Sequence, residues 1–159
     1  MGALLSAGGG MASILASCYP DVFAAAAIHS GPEYEAVTNF LQAEEVLKDA
    51  SKSTPPDTAG YHAFQCSGAA RRLMPVIVFH GSADERVNPN HAEQVIQQFA
   101  QANDYADDGA DNDSILANAT SSADKDSPPR HRYTVYDYRY AGKLLMRRVL
   151  IKRMKHAWS

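Results

Sequence analysis

The sequence predicts an α/β protein built on a largely parallel sheet. Two observations carry that class. Helix-period and strand-like segments alternate along the chain, and the run Met74-Pro75-Val76-Ile77-Val78-Phe79-His80 is almost continuously apolar between a proline and a glycine, as suits a parallel strand covered on both faces. At 159 residues, 45% of them hydrophobic, the chain is long enough to bury a core as one domain. The formal net charge is −3, and no apolar run reaches the roughly 18 residues of a membrane span.

In chain order, Ser6 opens onto Ala7-Gly8-Gly9-Gly10, after which Met11, Ile14, Leu15 and Cys18 recur at i, i+3, i+4 and i+7 and predict an amphipathic helix. Tyr19-Pro20-Asp21 ends it. Residues 23–30 read as a short buried strand closed by Gly31-Pro32. Residues 33–50 read as a helix offering Val37, Phe40, Leu41 and Leu47 to the core, and residues 51–60, with Pro55-Pro56, read as a loop. Residues 90–103 give the clearest helix, with Ala92, Val95, Ile96 and Phe99 as its stripe. Residues 104–129 are polar and aperiodic and read as a mobile, disordered insertion. Residues 133–140 and 144–151 then predict two strands joined by the tight turn Ala141-Gly142-Lys143.

Charge is unevenly placed. Residues 104–126 hold seven aspartates against Lys125, while nine Lys or Arg and the single acid Asp137 lie from Arg130 onward. The basic residues sit in strand-like sequence beside an acidic segment able to offset them. They read as a solvated strand face, not as a nucleic-acid surface. Cys18 and Cys66 admit two readings, a single bridge or two buried thiols. The six histidines show no H-E-x-x-H spacing, and a calcium loop centred on Gly109 would place Ala106 and Ile115 where oxygen ligands belong. No metal or cofactor is expected.

Three short segments carry chemistry: Ser6-Ala7-Gly8-Gly9-Gly10, then His80-Gly81-Ser82-Ala83-Asp84, then His156-Ala157-Trp158-Ser159. A serine hydroxyl is a weak nucleophile until a histidine takes its proton, and a carboxylate must hold that histidine in one tautomer. The order Ser…Asp…His is that of α/β-hydrolases. Ser6 opens the helix at the mouth of a glycine-rich turn, with Gly8 two residues on and Leu4 where G-x-S-x-G has its first glycine. The alternative reading of Ser6 is a helix N-cap. Asp84 lies in the loop past the buried strand, where open α/β sheets place their sites; Asp21 and Glu85 are its rivals. His29 and His80 follow strands and can line the same edge. Residues 1–6 also fit an N-myristoylation pattern, and Leu15-Ala16-Ser17-Cys18 a lipid-attachment cleavage site, which together make a lipid-anchored protein a further reading.

The chain resembles the poly(3-hydroxybutyrate) depolymerase-like esterases, a branch of the α/β-hydrolases. The resemblance rests on Ser6-Ala7-Gly8-Gly9 with Met11-Ala12, Tyr19-Pro20-Asp21 with Phe23-Ala24-Ala25, His29-Ser30-Gly31, residues 75–81 with Asp84, Val87-Asn88-Pro89, and His156-Ala157-Trp158-Ser159. It implies ester hydrolysis with Ser6 as nucleophile, Asp84 as orienting acid, His156 as general base and the Ala7 backbone N–H as one oxyanion donor. It further implies a polyester, oligoester or acylated-polysaccharide substrate and an extracellular or periplasmic setting. The family pattern places further strands and an oxyanion loop ahead of the serine, and five residues precede Ser6 here. The resemblance therefore implies the C-terminal portion of one catalytic domain, an incomplete α/β-hydrolase fold. The strand leading into Ser6 is expected to be missing, a sheet edge exposed, and a catalytically silent fragment is the competing reading.

Overall fold

The computed structural model describes residues 2–126 and 131–159, with side chains from Leu5 onward. Strands β1 (Gly2–Leu5), β2 (Ala26–His29), β3 (Val76–Gly81), β4 (Ser121–Lys125), β5 (Tyr133–Tyr140) and β6 (Lys143–Ile151) form one sheet in the order β1-β2-β3-β6-β5-β4. The pairs β1–β2, β2–β3 and β3–β6 are parallel, and β6–β5 and β5–β4 are antiparallel. The helices are α1 (Ala7–Cys18), α2 (Ala43–Lys48), α3 (Pro56–Ser67) and α4 (His91–Asp108). Because the parallel strands succeed one another in a single direction, right-handed crossovers carry their helices to one face of the sheet. There α1 packs on β1 and β2, α4 packs on β3 and β6, and α3 packs against both helices.

The apolar stripe expected for α4 is met: Ala92, Val95, Ile96 and Phe99 are buried, with Ile28, Val76, Val78 and Met146 in the same core. The β5–β6 hairpin also forms as expected. Its two-residue turn takes positive φ at Ala141 (48°) and Gly142 (76°), the backbone that matches strand twist. On the opposite sheet face, Ile77, Phe79, Tyr133 and Val135 join Val149, Ile151 and Met154 in a second apolar cluster. This cluster lines a groove of about 1300 Å³ that ends at Ala157, Trp158 and Ser159.

The structure corrects several expectations. The strand leading into Ser6 is present as β1, and among the described residues it is hydrogen-bonded on one side only. In α1 the buried face is Gly9, Ala12, Ser13, Ala16 and Ser17, while Met11 and Ile14 are exposed. The reason is the close seating of α1: a Cβ on Gly9 would lie 2.9 Å from Gly31 Cα, so only small side chains fit beneath the helix. Residues 33–50 do not form one helix. Glu35 adopts a φ of 55°, the Asn39 side chain accepts the N–H of Leu41 to start a separate 3₁₀ turn, and only Ala43–Lys48 is α-helical. Phe40 and Leu41, expected in the core, are 89% and 90% exposed; Val46 is buried instead.

The loop expected over residues 51–60 ends early, because Pro56 starts α3 at the position where its fixed φ suits a helix. Gly60 lets α3 approach α4, since a Cβ there would meet Gln101 Cβ at 2.5 Å. Part of the insertion expected to be disordered is regular: residues 104–108 complete α4 and residues 121–125 form β4. Buried Asp104 accepts the N–H groups of Asn112, Asp113 and Ile115 and the Ser114 hydroxyl. Burial alone would raise its pKa, and these donors outweigh it and lower it. Residues 127–130 of that segment lie outside the described residues. The acidic segment does offset the basic end, with Lys152 on Asp124 (3.1 Å) and Arg132 on Asp126 (3.2 Å). Cys18 and Cys66 form a disulfide between the ends of α1 and α3, so Cys18 has no thiol for a lipid. The myristoylation pattern begins at Met1, outside the described residues.

Candidate active site

The expected site residues all fall past the carboxyl ends of the parallel strands β1, β3 and β6, where an open sheet leaves a crevice. Ser6 is the single residue between β1 and α1, with φ 60° and ψ −123°, a backbone that non-glycine residues adopt only under constraint. The constraint is visible. The Ser6 N–H donates to His29 O at 3.0 Å, and its carbonyl accepts the N–H of Gly10 at 3.1 Å. The Gly9–Gly31 contact presses the first turn of α1 against the segment after β2. Ala7 is the first residue of α1, so its N–H has no intrahelical acceptor.

Asp84 and His156 are brought together by a second pair of turns. Ser82 N–H donates to Ile151 O (2.9 Å), Ala83 N–H to Met154 O (3.0 Å), and Arg153 N–H to the Ser82 hydroxyl (2.9 Å). Gly81 makes this stitching possible, because a Cβ there would lie 2.1 Å from Met154 O. His156 Nδ1 then sits 2.8 Å from Asp84 Oδ2, with the carboxylate fully buried. The other oxygen, Oδ1, accepts the N–H groups of Arg86 and Val87, both at 2.9 Å. Burial acts against the charged form of Asp84. Hydrogen bonds from His80, the Val87 N–H, His156 and the Arg86 N–H outweigh burial and hold the carboxyl well below the usual carboxylate range. The rival acids Asp21 and Glu85 are exposed.

His29 ties the Ser6 turn to the segment that follows His156. The His29 ring lies edge-on to Trp158 (5.1 Å between centroids) and stacks on Phe79 (5.9 Å). Its Nε2 accepts the Ser159 N–H at 3.2 Å. Burial, then the neighbouring His80 and His156, lowers its pKa to about 4, so the ring next to the Ser6 turn is neutral at pH 7. Among the described residues no hydrogen bond joins Ser6 Oγ to His156, and no group of three His, Cys, Asp or Glu side chains is placed to hold a metal ion. A buried pair that no spacing in the sequence announces lies behind the site: His91 Nδ1 is 3.1 Å from Glu33 Oε2, and His91 Nε2 donates to Val46 O at 3.0 Å. Its partners are 58 residues apart, too far for any local pattern to join them.

A mixed sheet, parallel over β1-β2-β3-β6, with a strained serine turn and a histidine–carboxylate pair at the strands' carboxyl ends, is an incomplete α/β-hydrolase fold. Residues 1–117 match the family model described as esterase PHB depolymerase, and the chain belongs to that family. It is 32% identical over 95 residues to a poly(3-hydroxyalkanoate) depolymerase C of Paucimonas lemoignei, covering 60% of this chain and 23% of that one. It is 31% identical over 101 residues to a feruloyl esterase B of Thermothelomyces thermophilus, covering 60% and 34%. The chain thus spans about a quarter to a third of the length of these relatives. Among solved structures, an acetyl xylan esterase from Aspergillus awamori superimposes with a TM-score of 0.70 at 17% identity, covering 97% of this chain and 53% of that one. A PHB depolymerase complexed with an R3HB trimer superimposes with a TM-score of 0.50 at 14% identity, covering 96% and 78%. At these identities the two structures speak for the fold alone.

Proposed function

We propose that the chain carries the triad of a serine carboxylic-ester hydrolase: Ser6 as nucleophile, His156 as general base and Asp84 as the acid that orients it. The observation that carries this reading is the 2.8 Å contact of His156 Nδ1 with Asp84 Oδ2 at the sheet edge that also holds Ser6. Asp84 is ionised and accepts, so the Nδ1–H tautomer is fixed and Nε2 keeps its lone pair. In the reaction, Nε2 takes the Ser6 proton as Oγ attacks the ester carbonyl, and the carbonyl oxygen becomes an oxyanion facing the Ala7 N–H. His156 then returns the proton to the departing alkoxide, leaving an acyl group on Ser6. A water molecule, deprotonated by the same Nε2, releases the acid and regenerates the hydroxyl.

The substrate class follows the family and the relatives: a polyester or oligoester of hydroxyalkanoic acids, with acylated polysaccharide as the alternative. The Cys18–Cys66 bridge supports an oxidising, extracellular or periplasmic setting. No helix among the described residues is long and apolar enough to cross a membrane. The test is labelling of the chain with a fluorophosphonate probe, followed by hydrolysis assays on 3-hydroxybutyrate oligomers, acetylated xylan and a feruloyl ester. Labelling of the parent and none of Ser6→Ala is the expected result. Equal labelling of both removes Ser6 from the reading, and no labelling of either leaves the catalytically silent alternative.

A further inference from the structure

His80 is the penultimate residue of β3, and its side chain is fully buried. Its Nε2 lies 2.9 Å from the Val87 carbonyl oxygen. A carbonyl oxygen only accepts, so Nε2 carries the proton. The other ring nitrogen, Nδ1, is buried with no partner, as fits a bare lone pair better than a stranded N–H. The same Nε2 is 3.4 Å from Asp84 Oδ2, the oxygen that accepts from His156. One N–H therefore faces two acceptors, one at each end of the turn that presents the carboxylate.

We propose that His80 is a positioning residue: its buried Nε2–H, shared between the Val87 carbonyl and Asp84 Oδ2, holds the carboxylate in its charged form and turned toward His156. This rests on the triad reading above for its catalytic meaning, but not for its geometry. All four donors around Asp84 are then accounted for. Two backbone N–H groups fix Oδ1, and two imidazoles, one from β3 and one from the segment after β6, converge on Oδ2. The charged and titratable groups facing this cluster are His29 from β2, His80 from β3, Asp84 itself and His156. Without His80, Oδ2 keeps its exposed-side donor and loses the interior one. The carboxyl becomes easier to protonate, and the Val87 carbonyl is left unpaired in the interior.

The experiment replaces His80 in the whole chain with Met, Asn and Gln and follows the side-chain carboxyl carbon of ¹³C-labelled Asp84 by NMR between about pH 3 and pH 7, a range spanning the ordinary aspartate pKa. Gln can extend an amide N–H to the place of Nε2; Asn is too short, and Met has no donor. The parent and His80→Gln are expected to show no protonation step in this range. His80→Met and His80→Asn are expected to bring one into it. The two polar variants keep the comparison decisive if the Met variant does not fold. On p-nitrophenyl butyrate, kcat of the Asn variant is expected to fall at least about tenfold with KM unchanged, as loss of a general-base alignment requires, and the Gln variant to restore it. The proposal is overturned if the Asn variant titrates like the parent, or if Gln behaves like Asn. Absence of hydrolysis by the parent would overturn the proposed function instead, while the carboxyl titration would still decide the role of His80.

Discussion

Gly9 and Gly31 touch backbone to backbone: a Cβ on Gly31 would lie 2.6 Å from Gly9 Cα and 2.7 Å from its carbonyl carbon. This contact sets the angle at which α1 leaves Ser6. Neither partner can retreat, since Gly9 belongs to the helix and Gly31 follows the β2 end that receives the Ser6 N–H. Gly31→Ala is expected to destabilise the chain by about 1–3 kcal/mol, the range for overpacking a dense site. Gly10→Ala, whose Cβ would meet only the Pro32 ring at 3.2 Å, should be milder. Urea unfolding of the two variants beside the parent measures the difference.

Asp84→Asn keeps the shape of the side chain and removes its charge. The amide can present its N–H₂ to His156 Nδ1, which favours the wrong tautomer and ties up the lone pair arrangement that the proposed reaction needs. Loss of kcat by about 10⁴-fold is the expected outcome for such a swap in a serine triad. A steady-state assay on p-nitrophenyl butyrate checks it, and a loss under tenfold would take Asp84 out of the proposed role.

How much of this was legible in the sequence depends on how local the determining contact is. The β5–β6 hairpin and α4 were legible because turn chemistry at Ala141-Gly142 and the stripe Ala92, Val95, Ile96, Phe99 act within a few residues. The face of α1 was not, because backbone proximity at Gly31 selects small residues and turns Met11 and Ile14 outward. Helix α3 was hidden for a related reason: its buried side is Ala59, Gly60 and Ala63, too small to register as an apolar stripe. At the site, Asp84 and His156 were legible as motif members although 72 residues separate them. The pairing of Cys18 with Cys66 and of Glu33 with His91 depended on tertiary placement that no spacing encodes.

The Cys18–Cys66 bridge closes a separation of 48 residues between α1 and α3. Cross-linking over that span restricts the unfolded chain, and its loss is expected to lower unfolding stability by about 2–4 kcal/mol. Because α1 starts at Ala7, directly after Ser6, the bridge anchors the far end of the helix that follows the candidate nucleophile. Denaturant midpoints of the oxidised chain and of a Cys18→Ser, Cys66→Ser double variant give the difference. Equal midpoints would show the bridge to be dispensable.

The buried cluster at the sheet edge also fixes how stability responds to pH. His29 has its pKa lowered from 6.5 to about 4, so between those values the unfolded chain binds a proton that the folded chain refuses. Stability must then rise with pH across that window and fall as the solution is acidified from about pH 6.5 toward pH 4. Asp84 acts in the same direction lower down: its carboxyl is depressed, so its contribution is present above the ordinary aspartate range and is lost as pH falls from that range toward the depressed folded value. His29→Gln removes the first effect and keeps a polar side chain beside Ser159. Urea midpoints at pH 7 and pH 5 are expected to differ for the parent and to draw closer together in this variant. An unchanged gap would place the acid sensitivity elsewhere than at His29.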